Sequence, residues 1–391
     1  MRVVYVSYDG ALDPLGSSQV RPYVEGLAGR GVAMTLVSFE KPARWRDDEA
    51  RMALASRLER HAIRWHPLPY HKRPRLPATA WDVLAGARAA REEVERSGAS
   101  LVHCRGDVAM AMARWARLPR RVRILYDVRG LFADERVDAG SWPAGSALDR
   151  MVRRVERANL RRADGVVALT AAGLEALRER RGELPPHRVI PTCADLSAFR
   201  PRAPGEEPDY GLVYSGSLGT WYMAREMVAF ARVAAPFVRG RTLFLTPDVE
   251  EARRAGATPD WAEVRSVAPA EVPAWLRRGR ALFFFIRPTP SKRASCPTKL
   301  GEALASGLPV LCNRGVGDLD AVLADGAVGL RVDSFSEDAY SRAARRLGAL
   351  LQDPALPGRC RRLAEAAYGL EGGVEAYHQL YRELRPAPAG G

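Results

Sequence analysis

Lysine is nearly missing from this chain. Of 60 basic residues only Lys41, Lys72, Lys292 and Lys299 are lysines, and the remainder are arginines. A compositional drift toward arginine accounts for that ratio. Against such a background, a surviving lysine points to a place where a compact ammonium suits and a planar guanidinium does not. Two of the four fall in one stretch, "SKRASCPTKLGEALASGLPV", residues 291–310. Long apolar runs are missing too, and none approaches the roughly 18 to 20 residues that cross a bilayer. The opening "MRVVYVSYDG" lacks the long apolar region of a signal peptide, so the expected location is the cytoplasm. The five cysteines are spread widely without CxxC or Cys/His ligand spacing, which argues against a disulfide framework or a structural zinc and for reduced thiols.

What is present is globular: 47% hydrophobic and 27% charged residues over 391 positions, enough for two domains with cores of their own. A formal net charge of +14 calls for an anionic partner, whether nucleic acid, an anionic membrane face or a phosphorylated small molecule. Charge alone does not choose among them.

The order of elements is more informative. "RVVYVSY" reads as a β-strand, "DGALDPLGSSQ" as a polar loop, "VRPYVEGLAGRG" as a helix stopped by glycine, and "AMTLVSF" as the next strand. Strand and helix go on alternating through "GVVALT", which predicts a doubly wound, mostly parallel sheet. Around 181–210 the text turns to proline, glycine and charge, as linkers do. A second α/β series follows, from "LVYSGSL" through "ALFFFI" and "LPVLCN" to "VGLRV". Two Rossmann-like domains are expected, over 1–185 and 186–370. The amphipathic helix in 371–391 would return to the first domain, ahead of the low-complexity tail "PAPAGG".

Ligands of such sheets bind beyond the carboxyl ends of the strands, where loops feed helix N-termini. In "SCPTKLGEALASG" the spacing predicts Pro297 as first helical residue, Ser295 or Cys296 as N-cap and Gly307 as the stop. The free amides of Thr298 and Lys299, with the Lys299 charge, would then attract an anion. Glu302, three residues on, could accept two hydrogen bonds from a ribose diol. The plain alternative is a surface Lys299–Glu302 pair worth a few tenths of a kcal/mol. Elsewhere, Asp127, Arg129, Asp134 and Glu135 follow one strand, and His103 and Arg105 end another. They are expected to form either a catalytic or acceptor-orienting cluster or an ordinary ion-pair network. Lys72, in "WHPLPYHKRP", lies in an acceptor-side loop or a plain connection. Arg150, Arg153, Arg154, Arg157 and Arg161 recur at helical spacing, giving a solvated face or a surface for anionic lipid.

Taken in order, "VIPTCADLSAFRP", "YSGSLGTWY", "SCPTKLGEALASGLPV" and "NRGVGDLD" resemble the retaining glycosyltransferases of GT-B fold called glycosyl transferases group 1, or family four. "LDPLGSSQVRPYVEGLAGRG" is similar to that family's first loop and helix, and "YDVRGLFADERVDAGSW" to a variant in bacterial members. The resemblance spans essentially the whole chain and implies two domains facing across a cleft. It also implies a nucleotide-diphosphate sugar as donor, with UDP the default, and no metal or other cofactor. The acceptor would be a hydroxyl of a lipid-linked glycan or small natural product, attacked with retention, and peripheral contact with an anionic membrane would fit.

By the same resemblance Glu302 holds the donor ribose, and Ser295, Thr298 and Lys299 match a "S-x-P-T-K-x-x-E" form of the donor motif. The motif's first glutamate is replaced by Ala294, and Ser217 and Tyr222 fall near a missing arginine and lysine. Arg287, Lys292 or Lys299 would then balance the diphosphate. Gly16 and Ser17 resemble the turn whose amides approach donor phosphates, and Gly216 and Ser217 the equivalent loop of the second domain. Asp127 stands near the reacting carbon, with Arg129 and Glu135 as further catalytic candidates. Gln19, His103, Arg105 and Lys72 are placed on the acceptor side. Two rivals remain open: a nucleotide-sugar 2-epimerase on the same scaffold, and a basic nucleic-acid-binding protein. The second lacks zinc spacing, an RNP signature or a helix-turn-helix, so no specific nucleic acid is expected.

Overall fold

The computed structural model describes residues 1–385, and the low-complexity tail 386–391 lies outside them. Among the described residues two sheets stand out, every strand pairing in them parallel. The first contains β1 (Arg2–Ser7), β2 (Ala33–Glu40), β3 (Arg64–Pro69), β4 (Leu101–Arg105), β5 (Arg123–Val128), β6 (Gly165–Ala168) and β7 (His187–Val189). Their spatial order is β3-β2-β1-β4-β5-β6-β7. The second contains β8 (Tyr210–Ser215), β9 (Arg241–Leu245), β10 (Ala262–Arg265), β11 (Gly279–Phe283), β12 (Val310–Asn313) and β13 (Gly329–Val332), ordered β10-β9-β8-β11-β12-β13. The central strands are apolar without alternation because helices cover both faces. Val3, Val4 and Val6 are buried in one sheet and Phe283, Phe284 and Phe285 at the heart of the other.

Each sheet winds outward from its first strand and then reverses, between β1 and β4 in one and between β8 and β11 in the other. Loops at such a reversal part and leave a crevice. The chain divides into Met1–Ile190 with Gly373 onward, and Pro191–Gly372. The first division thus lies a few residues past the expected 185. The last helix, Leu370–Glu383, belongs to the first unit from Gly373 on. It buries Val374, Tyr377, Leu380 and Tyr381 there, with Tyr377 edge-on to Tyr23 at 5.5 Å between centroids.

The first loop differs from its expected form. Gly16 and Ser17 sit inside a short helix, Pro14–Gln19, and the Ser17 amide already donates to the Asp13 carbonyl at 2.8 Å. That amide is therefore spent within the fold, which corrects its reading as a phosphate donor. Gly16 serves close packing: a Cβ there would lie 1.9 Å from the Gly10 carbonyl oxygen. The buried Glu40 carboxylate fastens the same loop, accepting from the amides of Ala11 at 2.7 Å and Leu12 at 3.2 Å. Gly16→Ala is expected to cost about 3 kcal/mol of stability, read as a lower urea midpoint; an unchanged midpoint would refute the close approach.

Candidate active site

In the second unit the polypeptide after β8 doubles back along the end of β11. Tyr222 bridges Ile286 in antiparallel fashion, the Met223 amide donates to the Phe285 carbonyl at 3.0 Å, and the Arg287 amide to the Trp221 carbonyl at 2.8 Å. Asn313, at the end of β12, pins this segment by donating to the Ile286 carbonyl and accepting from the Ile286 amide. Gly216 begins the turn at φ +123°, a conformation that side chains rarely adopt, and a Cβ there would stand 3.1 Å from the Lys299 ammonium.

The consequence is a pair of aromatic seats. Lys292 Nζ lies 3.6 Å from the centroid of the Trp221 ring, and Lys299 Nζ lies 3.6 Å from that of Tyr222. Lys299 also stands 4.4 Å from the Tyr214 ring and donates to the Tyr214 hydroxyl at 3.4 Å. An ammonium over a ring face is held by the ring quadrupole, more strongly when water is kept away. Both lysines are buried, and two of the chain's four lysines are thus explained by the seats their shape fits.

Burial pushes the Lys299 ammonium well below the ordinary 10.5 of lysine, against an upward pull from Glu302. Burial likewise pushes the half-buried Glu302 carboxyl up to about 7, although Lys299 draws it down. The helix carrying both begins at Thr298, with Pro297 as N-cap in an extended conformation. This corrects the expected start by one residue. Pro297 stands at the boundary with the φ of −64° that its ring imposes and an extended ψ of 127°, and its carbonyl accepts from the Leu300 amide at 3.0 Å. Ser295 and Thr298 are half-buried at this mouth, and Ala294 is buried and offers no polar group where a glutamate was expected. Arg287 is exposed and, with Tyr222, Thr220 and Asp248, lines a cavity of about 660 Å³. Ser217 is exposed, and its carbonyl accepts from the Tyr214 hydroxyl.

In the first unit, β4 and β5 deliver a buried polar cluster. Asp127 Oδ1 lies 3.4 Å from Arg129, and its Oδ2 lies 3.5 Å from His103 Nε2 and 3.8 Å from Arg105. Burial works against the Asp127 charge, yet Arg129 foremost, with His103 and Arg105, holds the carboxyl well below the usual carboxylate range. Burial lowers the His103 pKa while Asp127 pulls it up. His103 Nδ1 meets the Tyr381 hydroxyl at 2.6 Å, and its ring packs on Tyr5 at 4.2 Å and Tyr377 at 5.2 Å. Arg105 reaches on to Asp9 at 3.5 Å. Spacing in the last helix reads only as an apolar stripe, so nothing in it singles out Tyr377 and Tyr381 as partners of His103.

Asp134 is engaged outside this cluster, pairing with Arg153 at 2.8 Å and with Arg180. Glu135 folds back over Gly130 and raises the Asp107 carboxyl, which burial foremost and Glu156 next push up to about 7. Gln19 is buried in the first loop, and Lys72 is exposed after β3. Among the described residues no group of three or more His, Cys, Asp or Glu side chains is gathered to hold a metal.

Residues 16–193 match the family model described as a glycosyl transferase 4-like domain. No curated protein sequence matches the chain significantly. Several solved structures are similar over nearly its full length. Sucrose-phosphate synthase from Thermosynechococcus elongatus aligns at TM-score 0.72 with 20% identity, covering 98% of this chain and 99% of its own. HepE from Anabaena, solved in complex with UDP-glucose, aligns at 0.68 with 14% identity over 99% and 100%. A putative UDP-N-acetylglucosamine 2-epimerase from Listeria monocytogenes aligns at 0.57 with 14% identity over 96% and 94%. These likenesses give the fold: α/β, with two parallel-sheet Rossmann-like units of the GT-B kind.

Proposed function

We propose that this protein is a glycosyltransferase that moves a sugar from a UDP-sugar to a hydroxyl acceptor, with retention and without a metal. The observation that carries the reading is Glu302, a half-buried carboxylate one turn into the helix Thr298–Ala305 and three residues beyond the ring-seated Lys299. Its two oxygens suit a ribose diol. The Thr298 and Lys299 amides and the Lys299 ammonium suit the diphosphate. The family match over residues 16–193 and the UDP-glucose complex of the similar HepE structure support the donor class.

In such a transfer the bond from anomeric carbon to diphosphate oxygen lengthens first, charge builds on the leaving diphosphate, and the sugar becomes oxocarbenium-like. A preorganised cation and helix start are therefore worth most at that moment. Lys299, Lys292 and Arg287 take the place of the arginine and lysine that Ser217 and Tyr222 do not supply. Same-face attack by the acceptor hydroxyl, and hence retention, follows the family resemblance. Asp127 and Arg129, with His103 and Arg105, orient the acceptor, a lipid-linked glycan or small natural product.

The test is thermal unfolding of wild type and Glu302→Ala with UDP, GDP, dTDP and CDP. UDP at a hundred times its dissociation constant should stabilise wild type by about 2.7 kcal/mol, and the variant should lose that gain. A folded wild type that no nucleotide stabilises would sink the proposal. The similar Listeria structure favours the epimerase as second reading. Incubating UDP-N-acetylglucosamine without acceptor separates the two, since a transferase forms no epimer.

A further inference from the structure

The helix Gly106–Trp115 packs between the helix Arg75–Ser97 on one side and the helix Ala147–Arg162 on the other, so the outer two share one face of the first sheet. Each presents an unusual surface. On the first, Leu76, Trp81 and Leu84 are exposed, Trp81 to 63%. No acidic residue lies in the first turn, and Asp82 is buried, accepting from the Tyr8 hydroxyl at 2.9 Å and meeting His71 Nδ1 at 2.6 Å. Lys72 and Arg73 are exposed just before this stretch. Only further along does the helix neutralise itself, through Arg88–Glu92 at 2.7 Å and Arg91–Glu95 at 2.8 Å. On the second helix Arg154, Arg157 and Arg161 are exposed, beside the exposed Met151. Arg153, expected on the same stripe, is instead tied to Asp134 and Asp149.

We infer that this face docks on an anionic phospholipid surface. Trp81, Leu84 and Leu76 enter the boundary between headgroups and acyl chains, and Arg154, Arg157 and Arg161 take the lipid phosphates. An apolar stripe costs free energy when left in water, and one flanked by exposed cations matches a surface that is apolar beneath and negative above. Nucleic acid offers no apolar layer for Trp81 and Leu84. A protein partner would have to supply both an apolar strip and a run of acids. This docking does not depend on the transfer activity.

Co-sedimentation of the full chain with phosphatidylcholine vesicles, with and without phosphatidylglycerol, tests it. Binding should require phosphatidylglycerol and weaken as salt rises. Trp81→Ser/Leu84→Ser should weaken vesicle partitioning about a hundredfold, roughly tenfold per apolar side chain. Arg154→Gln/Arg157→Gln/Arg161→Gln should do so by about the same factor. Both variants should unfold at the wild-type temperature, because every side chain replaced is exposed. The inference fails if wild type does not sediment with anionic vesicles at low salt, or if the apolar pair changes nothing. It fails equally if that pair alters the mass of the protein in solution and not its vesicle binding, for the face would then join two copies of the chain.

Discussion

Lys299→Met should slow sugar transfer about a thousandfold and at the same time make the second unit harder to unfold. The two effects come from one fact, that a cation is held in a nearly water-free seat between Tyr222 and Tyr214. Removing a diphosphate-stabilising charge from such a site should cost about a thousandfold in kcat. Methionine, unbranched and one atom shorter, keeps most of the apolar stem beside both rings while sparing the protein the desolvation of an ammonium. Linkage gives the sign of the pH dependence. The Lys299 pKa is lower in the folded state than its ordinary 10.5, so between those values the unfolded chain binds more protons and stability rises with pH. Below that window both states are protonated and the folded protein bears the full cost of burial. Lys299→Met should lack this alkaline gain.

Glu302 runs the other way. Its folded-state pKa is raised from 4.5 to about 7, so its contribution is present below 4.5 and lost as pH rises through about 7. Urea unfolding of wild type and Lys299→Met between neutral and alkaline pH, with UDP release from UDP-glucose measured alongside, checks the prediction. A variant that still transfers sugar at the wild-type rate would remove Lys299 from the donor chemistry.

What could be read in advance, and what could not, divides along sequence separation. The two sheets were legible because buried parallel strands write themselves as continuous apolar runs, "VVYV" and "ALFFFI" among them. Lys299 and Glu302 were legible because three positions along a helix place side chains on one face. The seats beneath the lysines were not, since Trp221 and Tyr222 reach them only when one loop doubles back along the end of β11. Tyr377 and Tyr381, at helical spacing, looked like ordinary core, and only tertiary packing brings Tyr381 to His103 across some 278 positions. Glu135 follows Asp127 closely in sequence, and the helix Phe132–Asp138 lays its carboxylate against Gly130, a contact that no spacing announces. The arginine stripe was right in period and wrong at Arg153, because period says nothing of a carboxylate waiting on a neighbouring helix.

The buried cluster around Asp127 invites the last prediction. Asp127→Asn keeps the shape of the side chain and removes its charge, leaving the guanidiniums of Arg105 and Arg129 without their shared counterion. Breaking a buried pair in this way should cost about 3 to 5 kcal/mol. Wild type holds the Asp127 carboxyl below the ordinary 3.8, so its contribution is present above that value and is lost as pH falls through the depressed folded-state pKa. Asp127→Asn should lack this acid sensitivity. Arg129→Met on top of it removes one of the two stranded charges, and Arg105 retains Asp9 at 3.5 Å. The double variant should therefore recover much of the lost stability. Transfer should not return with it, because Asp127 and Arg129 are assigned to orienting the acceptor hydroxyl, and kcat should stay about a thousandfold down with UDP binding unchanged. A double variant that regains both stability and transfer would make the cluster a structural ion-pair network, which was the plainer of the two readings that the sequence left open.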